Sequence, residues 1–440
     1  MSSPSHSATR KARFFTPRVA TAVIIANMIG TGVFTSLGFQ LADISSGFAL
    51  VMLWALGGLT AFCGAMCYAE LGARLPRSGG EYHFLSAALH PSLGFVSGWI
   101  SATIGFAAPT ALVAITFGQY LSLVIPTLPP TLAACVLIVS LAFLHASSRA
   151  RSGATQWLFT VLKLIMIVGG CALALLLAPH DTTTSFRPST GEMAVLLSSP
   201  FAVSLIYVSY AYSGWNAATY FSSELETPQR SLPRILAIGT LVVTLIYLLV
   251  NVTFLSIAPQ EAMAGKLEIV YVAIDYAFGE RAAVLASALL SLLLISTASA
   301  MLLAAPRVLQ MIGEDYAQFA PLSRTNEDGI PHVAIYVQAL IALALVVTAT
   351  FESILVFSGF ALALNTFVTV IAMMILRHTR AHEPRPFSAW AYPLTPLVFL
   401  ALTGWTLVHI AANRPTEALA GCALIGFGFV VYALLTRRAH

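Results

Sequence analysis

Asn27-Met28-Ile29-Gly30-Thr31-Gly32-Val33-Phe34 occupies the middle of the first apolar run of the chain. Lipid offers no hydrogen-bond partners, so a helix unwinds at that depth only where protein or a polar cavity satisfies the freed backbone groups. Small residues also permit close helix packing, and Gly30 and Gly32 alone do not separate the two readings. A second interruption, Tyr212-Ser213-Gly214-Trp215-Asn216, falls in the middle of a later run. There Asn216 adds an amide that is costly to bury without partners.

The runs themselves set the class. Of 440 residues, 58% are hydrophobic and 9% charged, against about 25% charged in an ordinary soluble domain. That excludes a water-soluble surface. Twelve runs of near-membrane length can be drawn, at about 16 to 39, 47 to 73, 92 to 123, 131 to 147, 153 to 178, 194 to 223, 233 to 257, 282 to 311, 332 to 350, 352 to 377, 391 to 412 and 416 to 436. The expected class is an all-α polytopic membrane protein of twelve spans, with the interruptions in spans 1 and 6. No extramembrane domain fits between the spans. No small-residue cleavage site follows the first run, so a removed signal peptide is not expected.

Membrane insertion leaves Lys and Arg in cytoplasmic loops. With the N-terminus inside, seventeen of the 22 basic residues fall at the inner face, among them Arg10, Lys11, Arg74, Arg77, Arg149, Arg151, Arg230, Arg234, Arg377, Arg380, Arg437 and Arg438. Arg187, Lys266, Arg281 and Arg414 fall outside, and Lys163 falls within a span. Both termini are therefore expected in the cytoplasm, and the net charge of +4 requires no nucleic-acid partner. Cys63, Cys67, Cys135, Cys171 and Cys422 lie in apolar runs without metal-site or disulfide spacing, so no metal is expected.

In transporters built from two inverted five-helix repeats, the first helix of each repeat is discontinuous, which makes helices 1 and 6 the broken pair. The N-terminal end of each half-helix exposes N–H groups that attract an anion, and the C-terminal end exposes carbonyls that attract a cation. A zwitterion matches both.

Three strings, NMIGTGVF, YAELGARLPRSGGEYHFL (Tyr68 to Leu85) and SYAYSGWNAATYFSSELETPQRSLPRIL (Ser209 to Leu236), resemble the amino acid–polyamine–organocation superfamily of transporters, in its L-type and bacterial amino acid exchanger branch. The resemblance runs through most of the chain. It implies a LeuT-type 5+5 inverted repeat, with a cytoplasmic tail at 1–15, a ten-helix transport core at 16–377, and two further helices with the C-terminus at 378–440. It also implies that Thr31 and Gly32 hold the substrate carboxylate beside Gly30, and that carbonyls of Met28, Tyr210 and Ser213 hold the amine next to Gly214. Asn216 would touch substrate and the Tyr210 ring would close over it.

Lys163, in Thr160-Val161-Leu162-Lys163-Leu164-Ile165-Met166, would cost at least roughly 2.5 to 3.5 kcal/mol at mid-bilayer, so something must offset it. A lysine at this place in the family puts its ammonium where sodium-coupled relatives bind Na⁺. Carbonyls beside Gly30 and a hydroxyl of Ser296, Thr297 or Ser299 are its expected partners. The implied consequence is sodium independence. Taken out of water, the lysine could also release a proton as the site opens, which makes H⁺ a candidate coupling ion.

Glu70, Arg74, Arg77 and Glu81 read as solvated loop charges with a structural or gating role. Glu224, Glu226, Arg230 and Arg234 read as inner-gate ion pairs. No span contains a central acid, which favours neutral amino acids over a cationic amino acid or polyamine, the alternative cargo for this fold. Gly105, Pro109 and Met301 are expected to face the side-chain pocket. No phosphate-binding loop and no apposed nucleophile and base are visible, so neither an ATP motor, a cofactor nor an enzyme is expected. The outer loop VIPTLPP (Val124 to Pro130) lacks the cysteine through which L-type relatives join a heavy chain, so no disulfide-linked partner is expected. The reading is a sodium-independent exchanger or proton symporter of L-amino acids in the cell membrane.

Overall fold

The computed structural model describes residues 16–147, 152–179, 184–304, 306–327 and 329–437. The expected tail at 1–15, with Arg10 and Lys11, and the loop and terminal residues Arg149, Arg151 and Arg438 lie outside them. The regular elements among the described residues are all helices. They begin with α1 (Pro17–Met28), α2 (Gly32–Leu41), α3 (Gly47–Arg74), α4 (Glu81–Ala88), α5 (Pro91–Ile100), α6 (Ala107–Val124), α7 (Pro130–Ser147) and α8 (Ser152–Leu177). There follow α9 (Glu192–Leu196), α10 (Ser199–Ala211), α11 (Pro228–Ile257), α12 (Gln260–Met263), α13 (Ile269–Phe278), α14 (Glu280–Ala304) and α15 (Pro306–Asp315). The chain closes with α16 (His332–Thr348), α17 (Phe351–Thr379), α18 (Leu394–Asn413) and α19 (Pro415–Arg437). Ten stretches among the described residues are long and apolar enough to cross a membrane. Expected spans 6 and 9 correspond to the shorter apolar helices α10 and α16.

The first span is broken where its glycines lie. Thr16 caps α1 by accepting the Val19 N–H at 3.4 Å, with Pro17 in the first turn, where its missing N–H costs nothing. Ile29, at φ −76° and ψ 80°, leaves the helix, the Gly30 N–H bonds the Met28 carbonyl at 2.8 Å, and α2 restarts at Gly32. The sixth span breaks likewise. α10 stops at Ala211, Gly214 takes φ +98°, and a 3₁₀ segment, Ala217–Glu224, follows.

The two breaks pack on one another. A Cβ on Gly32 would lie 2.6 Å from Cα and Cβ of Ala211, and one on Gly214 would lie 3.1 Å from the Asn27 carbonyl carbon. Glycine at Gly32 therefore serves close approach, while at Gly214 it serves both approach and a left-handed backbone. Trp54 of α3 and Tyr212 brace the neighbouring Tyr247 of α11, with ring centroids 5.4 and 4.9 Å away.

A third interruption was not expected. The run read as continuous over 92 to 123 contains a π-turn, Ser101–Gly105, between α5 and α6. Pro109 supplies its local cause, because it has no N–H for the Gly105 carbonyl four residues earlier.

Candidate substrate site

A cavity of about 130 Å³ opens beside the second break, well above the roughly 10–15 Å³ that one water needs on the same measure. Tyr210, Ser213, Gly214 and Asn216 line it, as do Gly105, Pro109 and Met301, so the expected side-chain pocket and the span 6 half of the site are brought together. Met28, Gly30, Thr31 and Gly32 are not on its wall, where span 1 is represented by Asn27. Thr31 is buried, Gly32 is covered by Ala211, and Gly30 lies next to the wall, its would-be Cβ 4.0 Å from the Met301 methyl. The closeness of the two breaks is the physical reason: it leaves the N-terminus of α2 no open face.

The carbonyl of Met28, expected to hold an amine, accepts the buried Tyr247 hydroxyl at 2.5 Å. That hydroxyl also lies 2.8 Å from the Ala211 carbonyl, so one side chain bridges the C-terminal ends of α1 and α10. Helix ends leave their last carbonyls without intrahelical partners, and these two share the single proton of the Tyr247 hydroxyl. Sequence reasoning missed it, since a tyrosine on an apolar helix reads as packing.

Lys163 of α8 is 4% exposed. Its Nζ donates to the Ile29 carbonyl at 3.0 Å and to Thr297 Oγ1 at 2.8 Å, tying the first break to α14. Of the three hydroxyls considered, Thr297 is the partner, whereas Ser299 pairs with His145 at 2.9 Å.

The acids differ from expectation. Glu70 is buried in a two-bond pair with Arg377 of α17, at 2.8 Å each, and accepts the Ala389 N–H at 2.8 Å. Arg377 also stacks 3.7 Å over the Tyr392 ring. Arg74 pairs with Glu383 at 3.4 Å and Arg77 with Asp315 at 3.7 Å. Glu226, Arg230 and Arg234 enter no ion pair among the described residues, and the side chain of Glu224 lies outside them.

Glu81, read as a solvated loop charge, is 1% exposed and lines the cavity. Its Oε1 accepts from Asn216 at 2.5 Å and Tyr68 at 3.0 Å, and its Oε2 from Tyr220 at 2.6 Å. The turn at Gly79 (φ +119°) and Gly80 (φ +52°) folds the chain back against the second break, where a Cβ on Gly80 would meet the Tyr220 ring at 2.8 Å. Glu81 then opens α4, where a helix N-terminus favours a carboxylate. Those two glycines were the signal that could have found it. Burial first, and Arg77 second, push the nearby His83 imidazole below its usual range, so it supplies no cation here.

Comparison with known families places the chain as a whole. Residues 15–433 match the family model described as amino acid permease. The chain belongs to that family. It is 28% identical to the large neutral amino acids transporter small subunit 2 of Oryctolagus cuniculus, over 94% of this chain and 79% of that one. It is 25% identical to the b(0,+)-type amino acid transporter 1 of Mus musculus, over 94% of this chain and 85% of the other, and 27% identical to the human large neutral amino acids transporter small subunit 2 over the same shares as the rabbit protein. This permease is a multi-pass membrane protein of the amino acid–polyamine–organocation superfamily, and its relatives are transporters.

Proposed function

We propose that this permease is a sodium-independent secondary transporter of L-amino acids, moving them across the cell membrane by exchange or with H⁺. Its twelve spans would have both termini inside, with residues 16–377 forming two inverted five-helix repeats and residues 378–440 forming the last two spans. The observation that carries the reading is the Lys163 ammonium between the Ile29 carbonyl and Thr297 Oγ1. A fixed positive charge with these partners supplies what a bound Na⁺ would: a cation holding the unwound segment to α14. The absence of cysteine in Val124 to Pro130 supports transport without a disulfide-linked partner chain.

The expectation of neutral cargo rests on there being no central acid in any span. Glu81 removes that premise. The test of the transport reading is uptake and counterflow of a labelled amino acid panel in proteoliposomes. Uptake is expected to be unchanged when choline replaces Na⁺. Efflux only against external substrate indicates exchange, and accumulation under an inward proton gradient indicates symport. Steep Na⁺ dependence would refute the role given to Lys163.

A further inference from the structure

We propose that Glu81 sets the side-chain specificity of the site, acting as the counter-charge for a positively charged amino acid side chain. The proposal rests on the transport reading above and adds the class of cargo to it. A buried charge is costly unless paired or well hydrogen-bonded. Glu81 receives three donors, all neutral, and no ion pair among the described residues, whereas the nearby Glu70 has Arg377. A carboxylate has about four acceptor positions. Two donors reach Oε1 and one reaches Oε2, which leaves a position on Oε2 for a further donor.

The surroundings suit a cation. Phe106 and Tyr220 also line this part of the cavity, their ring centroids 5.6 Å apart, and aromatic faces attract ammonium and guanidinium groups. Asn216 connects Glu81 directly to the second break, where the resemblance assigns the Tyr210 and Ser213 carbonyls to the substrate amine. The four-carbon stem of a lysine, or the comparable stem of an arginine, could lie along Gly105, Pro109 and Met301 with its charged end at Glu81. The competing account is a latch that only holds α4 to the Ala217–Glu224 segment. Such a latch would affect every substrate alike.

Arginine and citrulline share a stem and a planar end group and differ in charge, so their ratio isolates the role of Glu81. In proteoliposomes holding the full chain, kcat/KM for arginine is expected to exceed that for citrulline. In Glu81→Gln the ratio should fall by roughly tenfold or more, and Glu81→Asp should keep more of it. An unchanged ratio in Glu81→Gln, with both rates lowered together, would leave the latch and overturn the proposal. So would wild-type uptake of citrulline or other neutral amino acids that arginine neither follows nor inhibits. If Glu81→Gln cannot be purified, wild-type competition decides, and equal inhibition by arginine and citrulline overturns the specificity role. Loss of all amino acid uptake by wild type would instead overturn the transport reading.

Discussion

Tyr247→Phe removes a single oxygen and keeps the ring that packs between Trp54 and Tyr212. The Met28 carbonyl would keep the Gly30 N–H at 2.8 Å. The Ala211 carbonyl would lose the hydroxyl that reaches it at 2.8 Å, leaving a buried acceptor at a helix end. An unsatisfied buried group costs about 1–3 kcal/mol, and because the hydroxyl joins the two half-helix ends, that cost falls on the arrangement in which the breaks are paired. A shift of that size changes a two-state population by roughly 5- to 150-fold. The assay is paired: thermal unfolding in detergent at one heating rate, and the apparent KM for uptake. Tyr212→Phe is the comparison, since its hydroxyl ties the second break to the Trp54 carbonyl of α3 at 3.1 Å and does not join the two breaks. Tyr247→Phe should lower the unfolding temperature and shift KM, whereas Tyr212→Phe should lower the temperature without a comparable KM shift. Identical behaviour of the two variants, or a wild-type KM in Tyr247→Phe, would refute the bridging role.

Gly32→Ala should destabilise the protein by about 1–3 kcal/mol through overpacking against the Ala211 backbone, and more than Gly30→Ala, whose Cβ would meet no atom closer than 3.8 Å; thermal unfolding of the two side by side checks this. Lys163→Ala should greatly reduce uptake, and Lys163→Gln, which keeps a donor without the charge, should retain more structure than activity. A Lys163→Ala protein with full pH-dependent uptake would exclude proton coupling through this residue. Glu70→Gln should cost about 3–5 kcal/mol by leaving the buried Arg377 unpaired, and the double variant Glu70→Leu with Arg377→Met should lose less, because apolar replacement of a buried pair is often neutral; unfolding curves of the three proteins decide.

What the sequence disclosed and what it hid follow one physical rule. Gly32 and Gly214 were legible because an interruption inside an apolar run is expensive in lipid, so its presence demands an explanation at the level of single residues. Lys163 was legible for the same reason, and the family resemblance left three hydroxyls to choose among. The π-turn at Ser101–Gly105 was harder, because its cause lies in Pro109, and a proline in a membrane helix has several acceptable outcomes. Tyr247 and Glu81 were hidden for opposite reasons. Tyr247 belongs to an apolar run where aromatic residues are common, and its partners, Met28 and Ala211, lie far away in the chain. Glu81 lay in a string of loop charges, and a charge near a membrane boundary needs no explanation until its burial is seen. The glycine pair before it carried the missing information: two successive left-handed residues reverse the chain, and a chain reversed at the end of a bundle carries its next side chain inward. In this permease that side chain is a carboxylate placed against Asn216, so the Gly79–Gly80 turn and the second helix break meet at one carboxylate, and a cargo charge that draws on Glu81 would also strain or release the contact between them.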